Sequence, residues 1–169
     1  DYRAYEYYGR IGDANWLTDA WLGYKINDHS NLIAGLNPMP FGHGRFWGNT
    51  FYLGIANAAG LEDVHNLGVK YEYNHNNNEF QLAYYPRDGG NYTGHSKDSK
   101  RFSVNPVNAD DYVPQGTNTS EKNAVVVRAA HTFDDVLDQK DLKVQLGASA
   151  WRSEIENHHS KQTGDRQVA

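Results

Sequence analysis

The sequence predicts an all-β, antiparallel fold. Three observations carry that prediction: a composition rich in aromatics and glycine, period-two alternation in segment after segment, and connections that alternate between short and long. The 169 residues include 12 Tyr, 4 Trp, 6 Phe and 16 Gly but only 1 Met. Aromatic and β-branched side chains suit a pleated, half-exposed surface, and glycine suits turns. Mean hydropathy is strongly negative, and no apolar run approaches the roughly 18 residues that a membrane helix needs. A transmembrane β-barrel escapes that test, because only alternate residues of its strands face lipid.

Residues 142–151 alternate most cleanly. Leu142, Val144, Leu146, Ala148 and Ala150 fall on one face, and Lys143, Gln145, Gly147, Ser149 and Trp151 on the other. A tilted membrane strand needs about 9–11 residues, which this segment supplies. Residues 66–73 oppose Leu67, Val69, Tyr71 and Tyr73 to Asn66, Gly68, Lys70 and Glu72. Residues 79–85 oppose Phe80, Leu82 and Tyr84 to Glu79, Gln81, Ala83 and Tyr85, and residues 19–26 oppose Ala20, Leu22, Tyr24 and Ile26 to Asp19, Trp21, Gly23 and Lys25. Segment 32–37 is shorter, and 123–133 alternates less cleanly around Val125, Val127 and Ala129. Tyr2 to Tyr8 reads as one more strand with ambiguous faces, which brings the expectation to seven.

The connections Asn27 to Asn31, Asn74 to Asn78 and Asp134 to Asp141 are short, whereas 38–65, 86–122 and 152–166 are long. Short turns at one end and long loops at the other are the mark of an outer-membrane barrel. Tyr24, Tyr71, Tyr73 and Phe133 sit beside the short turns, and Tyr84 and Trp151 beside the long loops. Aromatic girdles at two membrane interfaces have this distribution, although alternation turns Trp151 to the opposite face. The chain opens at Asp1 without Met, and Gln167-Val168-Ala169 reads as the opening of another strand. Residues 1–169 are therefore expected to be part of a single β-barrel domain rather than the whole of it.

Other classes are disfavoured. There is no cysteine, so no disulfide framework or thiolate metal site is expected. A formal net charge of −5 argues against generic nucleic-acid binding. No Gly-x-Ser-x-Gly, His-Glu-x-x-His or P-loop motif occurs, so the chain is not expected to be an enzyme. Gly42-His43-Gly44 carries two glycines of a dinucleotide motif without the third, and reads instead as a loop entry after Pro40. His158 and His159 would point to opposite faces of a strand, and His95 and His131 have no partner at ligand spacing. No metal or cofactor is expected. The sequons at Asn91 and Asn118 mark exposed loops.

The run Ala20-Trp21-Leu22-Gly23-Tyr24-Lys25-Ile26-Asn27-Asp28-His29 is followed by Leu32-Ile33-Ala34-Gly35-Leu36-Asn37-Pro38-Met39-Pro40-Phe41-Gly42. It resembles the phosphate-selective porin-like family of Gram-negative outer membranes, whose members carry a strand, a short turn and a strand ending in a Pro-Phe-Gly loop entry. Residues 66–73 and 80–85 are similar to the next hairpin, so the resemblance covers about residues 17–85. It implies a barrel of about sixteen strands in the bacterial outer membrane. It also implies a homotrimer, contact with outer-membrane lipids and lipopolysaccharide, and passage of small solutes or ions. Phosphate-selective members rely on basic residues along the pore, and this sequence shows no such ladder.

By alternation the charges facing the lumen are Asp19, Lys25, Lys70, Glu72, Glu79, Arg128 and Lys143, four basic and three acidic. Mixed charge suits a wet wall without strong selection. The long loops add His43, Arg45, Lys97, Lys100 and Arg101. Pro38 and Pro40 stiffen the 38–49 loop entry, while Gly42, Gly44 and Gly48 let it turn back. Folded inward, as one long loop is in porins, it would make His43 and Arg45 a candidate constriction that favours anions by its field. The alternative is a soluble β-sandwich that binds carbohydrate, stacking Trp and Tyr on sugars. The two differ in what the apolar face meets, lipid or a protein core.

Overall fold

The computed structural model describes residues 19–42, 61, 64–88, 119–136, 142–157 and 161–169. They form β1 (Ala20–Asn27), β2 (Ser30–Pro38), β3 (His65–His75), β4 (Asn78–Asp88), β5 (Thr119–Phe133), β6 (Val144–Asn157) and β7 (Thr163–Val168). The strands make one antiparallel sheet in chain order. Among the described residues the sheet is open, with β1 and β7 each bonded on one side only.

Local chemistry sets the turns. Asn76 and Asn77 both take positive φ, 47° and 63°. Two such residues give the hairpin turn whose twist matches the flanking strands, and asparagine tolerates that conformation best after glycine. In the β1–β2 turn the Asn27 side chain accepts the His29 N–H at 2.9 Å. Asp135, φ 51°, opens the β5–β6 connection.

Period-two alternation then separates two faces. On one, Tyr24, Leu32, Tyr71, Leu82, Val127 and Ala150 form a continuous register row from β1 to β6. On the other, Ile33, Lys70, Ala83, Val126, Trp151 and Val168 form the matching row from β2 to β7. Segment 39–42 and residues 61 and 64 lie over this second face, where Met39, Val64, Ala83, Tyr85, Ala124, Val126 and Trp151 make the hydrophobic core. We call it the covered face, and the first the bare face. Bare-face side chains stay open: Leu22, Tyr24, Leu82, Tyr84 and Leu146 are all exposed.

Register shifts between Leu67 and Val69 and between Lys122 and Val125 mark bulges. Gly68 makes the first one possible, because a Cβ there would lie 2.1 Å from the Tyr84 carbonyl oxygen and 2.7 Å from Tyr85 Cα. Asn123, φ 52°, makes the second. Each bulge adds a residue and so resets the alternation. Arg87 and Lys122 therefore share the bare face with Tyr84 and Val125.

The structure corrects the expected long connection at 152–166. Strand β6 runs on to Asn157 and β7 begins at Thr163. Asn157 donates to the Gln162 carbonyl and Lys161 to the Asn157 carbonyl, both at 2.8 Å, so this connection is tight. The strict alternation of short and long connections fails there. The signal was hidden because the outward positions beyond Trp151 are charged (Arg152, Glu154, Glu156) while Ser153, Ile155 and Asn157 point inward. Expected connection 86–122 also loses residues to both flanking strands. The expected strand Tyr2–Tyr8, with His43 and Arg45, lies outside the described residues.

Candidate functional site

The covered face holds most of the polar chemistry, and the segment leaving β2 organises it. The Tyr85 hydroxyl on β4 lies 2.8 Å from Asn37 Oδ1 and 3.1 Å from the Pro38 carbonyl oxygen. Lys70 Nζ on β3 donates to the same carbonyl at 3.1 Å. The Met39 N–H then donates to the Val64 carbonyl at 2.8 Å, which ties the two ends of the 38–65 connection together. Phe41 meets Trp151 of β6 edge to face, with ring centres 5.7 Å apart. Gly42 completes the crossing. Its N–H donates to Ser149 Oγ at 2.9 Å, and its carbonyl accepts Arg128 Nε at 3.1 Å. In a few residues the chain passes from β2 over β3 and β4 to β5 and β6. Residues His43 and Arg45 follow directly.

Beneath this segment the charges are matched. Lys70 pairs with Glu72 at 3.1 Å, with side chains only 3% and 11% exposed. Arg128 Nη1 reaches Glu79 at 2.6 Å, and Gln145 donates to the other Glu79 oxygen at 3.1 Å. Buried charges persist only when paired and hydrogen-bonded. The remaining predicted wall residues lie at the edge or ends of the sheet. Lys25 pairs with Asp28 at 2.7 Å and Lys143 with Asp134 at 3.1 Å, both at the short-turn end, and Asp19 faces His65 at 3.0 Å. The structure thus gathers Lys70, Glu72, Glu79 and Arg128 under the crossing segment, while Asp19, Lys25 and Lys143 stand apart. These charges thus stand in local pairs rather than as an unpaired field.

A second network escaped sequence reasoning. Glu121 is 1% exposed and accepts Asn66 Nδ2 at 3.0 Å and the Ser153 hydroxyl. The Glu121 backbone N–H donates to Asp88 Oδ2 at 2.5 Å. The Arg166 guanidinium of β7 stacks 4.3 Å from the Trp151 ring centre. This buried cluster links β3 through β7 at the long-loop end. Asp88, Glu121, Ser153 and Arg166 fall in the stretches expected as loops, 86–122 and 152–166, whereas Asn66 and Trp151 fall in expected strands. The inward sequence Trp151, Ser153, Ile155, Asn157 was the available signal. Among the described residues no group of three or more His, Cys, Asp or Glu is placed to hold a metal.

At the short-turn end Asp134 accepts Asn77 Nδ2 at 2.5 Å. Hydrogen bonds from Lys143 and then Asn77 hold its carboxyl below the usual carboxylate range. A depressed folded-state value contributes stability above the ordinary pKa and loses it as pH falls through the lowered one. Asp134→Asn is therefore expected to melt below the wild type at neutral pH, with the two curves converging in acid. Thermal melts across that range check it; an offset independent of pH would mean that this pairing contributes nothing.

Comparison of the chain with known protein families, curated proteins and solved structures finds no match.

Proposed function

We propose that this chain forms part of the wall of a porin-type outer-membrane β-barrel, which passes small hydrophilic solutes or ions by passive diffusion. One observation supports the reading above all: a large apolar row stays open on one face, while the other face buries charges beside its hydrophobic core. The bare face is an apolar row running from Tyr24 to Ala150, and the covered face buries Lys70, Glu72 and Arg128. A soluble sandwich would bury the apolar row in its core. A barrel turns it to lipid and keeps the polar face for the lumen.

Strands outside the described residues would close the ring, because hydrocarbon does not tolerate an open sheet edge. The resemblance over residues 17–85 belongs to the same proposal, with its barrel of about sixteen strands, its trimer and its outer-membrane location. In this reading the 38–42 segment begins an inward loop, and Arg45 supplies charge at the narrowest point. Since the wall charges are paired off, the loop sets the ion preference.

Planar-bilayer recordings of the full chain test the proposal. The expected result is stepwise, ohmic conductance. In a salt gradient Arg45→Gln should shift the reversal potential away from anions, most clearly at low salt, where screening is weakest. A chain that stays in solution without detergent and gives no conductance would overturn the reading. Identical reversal potentials would remove Arg45 from the pore.

A further inference from the structure

We infer that the bare face carries a binding site for the phosphorylated headgroup of an anionic membrane lipid, centred on Arg87 of β4 and Lys122 of β5; the inference rests on the membrane reading above. The two cations are direct cross-strand partners. Side chains opposed in this way have Cβ atoms about 4.5–5.5 Å apart, and like charges so placed destabilise a sheet. An anion bridging them removes that cost. Lys122 has a carboxylate of its own, Glu156. Arg87 is exposed and has no side-chain partner among the described residues. The next positions along the same register row are Glu154 and Asp165, and Asp165 pairs with Arg152 at 3.3 Å. The row therefore reads cation, cation, carboxylate, carboxylate, with its positive end at β4 and β5.

What lies beside the cations points to a lipid rather than a free ion. One step toward the short turns are Tyr84 and Val125, each 48% exposed, and beyond them Leu82 and Val127. The Tyr84 hydroxyl donates to Asn123 Oδ1 at 2.9 Å, which anchors its ring at the boundary between charged and apolar surface. The two bulges create this boundary, since without them Arg87 and Lys122 would turn to the covered face. A guanidinium grips phosphate bidentately, and an ammonium adds a point charge. The headgroup would sit on the two cations, and acyl chains would lie along Tyr84, Val125, Leu82 and Val127.

The test is native mass spectrometry of the full chain in neutral detergent, titrated with diphosphoryl lipid A, its dephosphorylated form and inorganic phosphate. Wild type is expected to retain the diphosphoryl lipid. Arg87→Gln and Lys122→Gln should each weaken retention about fivefold, and added salt should weaken it further. Lys161→Gln, in the β6–β7 turn, should leave it unchanged. Without lipid, Arg87→Gln should unfold no earlier than wild type, because it relieves a like-charge contact; earlier unfolding would assign Arg87 to the fold instead. Equal retention by all variants overturns the site, and displacement by inorganic phosphate at lipid-equivalent concentration makes it an ion site. Failure of the chain to insert into vesicles of the same lipid would sink the membrane reading and this site with it. Insertion with unchanged retention in Arg87→Gln sinks the lipid site alone.

Discussion

Leu82→Arg is expected to destabilise the chain in a bilayer by about 2–4 kcal/mol. In water the same change on an exposed strand face should cost less than about 0.5 kcal/mol. Leu82 lies between Tyr71 and Val127 in the central register row and is 46% exposed. If lipid covers that face, the guanidinium enters hydrocarbon close to the midplane. If water covers it, the change is nearly neutral. Thr163→Arg is the matched control. Thr163 pairs with Glu156 on the same face, in the charged zone at the long-loop end. The penalty in a bilayer falls with distance from the midplane, so this variant should be close to wild type. Denaturant unfolding from vesicles measures both. Equal costs at the two positions would show that the face has no depth profile and is not in a membrane.

Arg128→Met carries the other large effect. Arg128 is 8% exposed on its side chain, holds Glu79 at 2.6 Å and donates to the Gly42 carbonyl at 3.1 Å. Its removal leaves a half-buried carboxylate with only Gln145 beside it and a loop carbonyl without its donor. Breaking a buried pair on one side costs about 3–5 kcal/mol, and the partial exposure of Glu79 places this case near the lower end, about 3 kcal/mol. Arg128→Lys keeps the charge but lacks the planar fork that serves both acceptors, so it should restore only part of the loss. In recordings, Arg128→Met should raise open-channel noise, because the crossing segment loses an anchor on β5. Unfolding and noise both within error of wild type would mean that Arg128 does not fasten the loop.

Most of the sheet was legible in the sequence, for a physical reason. Where one face is apolar and the other polar, a period of two is visible, as in Leu142 to Trp151 and Asn66 to Tyr73. The faces of Lys70, Glu79, Arg128 and Trp151 followed from it. The signal vanishes where the outward face turns from apolar to charged, so the end of β6 and β7 up to Arg166 read as loop. Bulges were invisible too. A single inserted residue at Asn123 flips the alternation, which is why Glu121 and Lys122 could not be assigned to faces, and 123–133 reads irregularly because Val126 and Ala130 make the covered face apolar there too. The ion pairs were beyond reach because they join residues on different strands. Lys70 with Glu72, two apart on one strand, and Lys25 with Asp28, three apart across a strand end, are the exceptions. Of the seven charges expected on the lumen side, six stand in oppositely charged pairs and Asp19 faces His65.

The chain-order arrangement of the sheet bears on how it assembles. Among the described residues every bonded strand pair is adjacent in sequence, so β1–β2, β3–β4 and β5–β6–β7 can each zip from their own short connections. Joining these units requires closing the longer 39–64 and 89–118 spans. The entropy of closure grows only logarithmically with length, about 0.6 kcal/mol for each doubling, so long connections between units add little to the barrier. The crossing segment at 39–42 belongs to one unit by sequence and to another by contact. It cannot seat until β5 and β6 have arrived, so its seating reports that the β5–β6–β7 unit has joined the sheet.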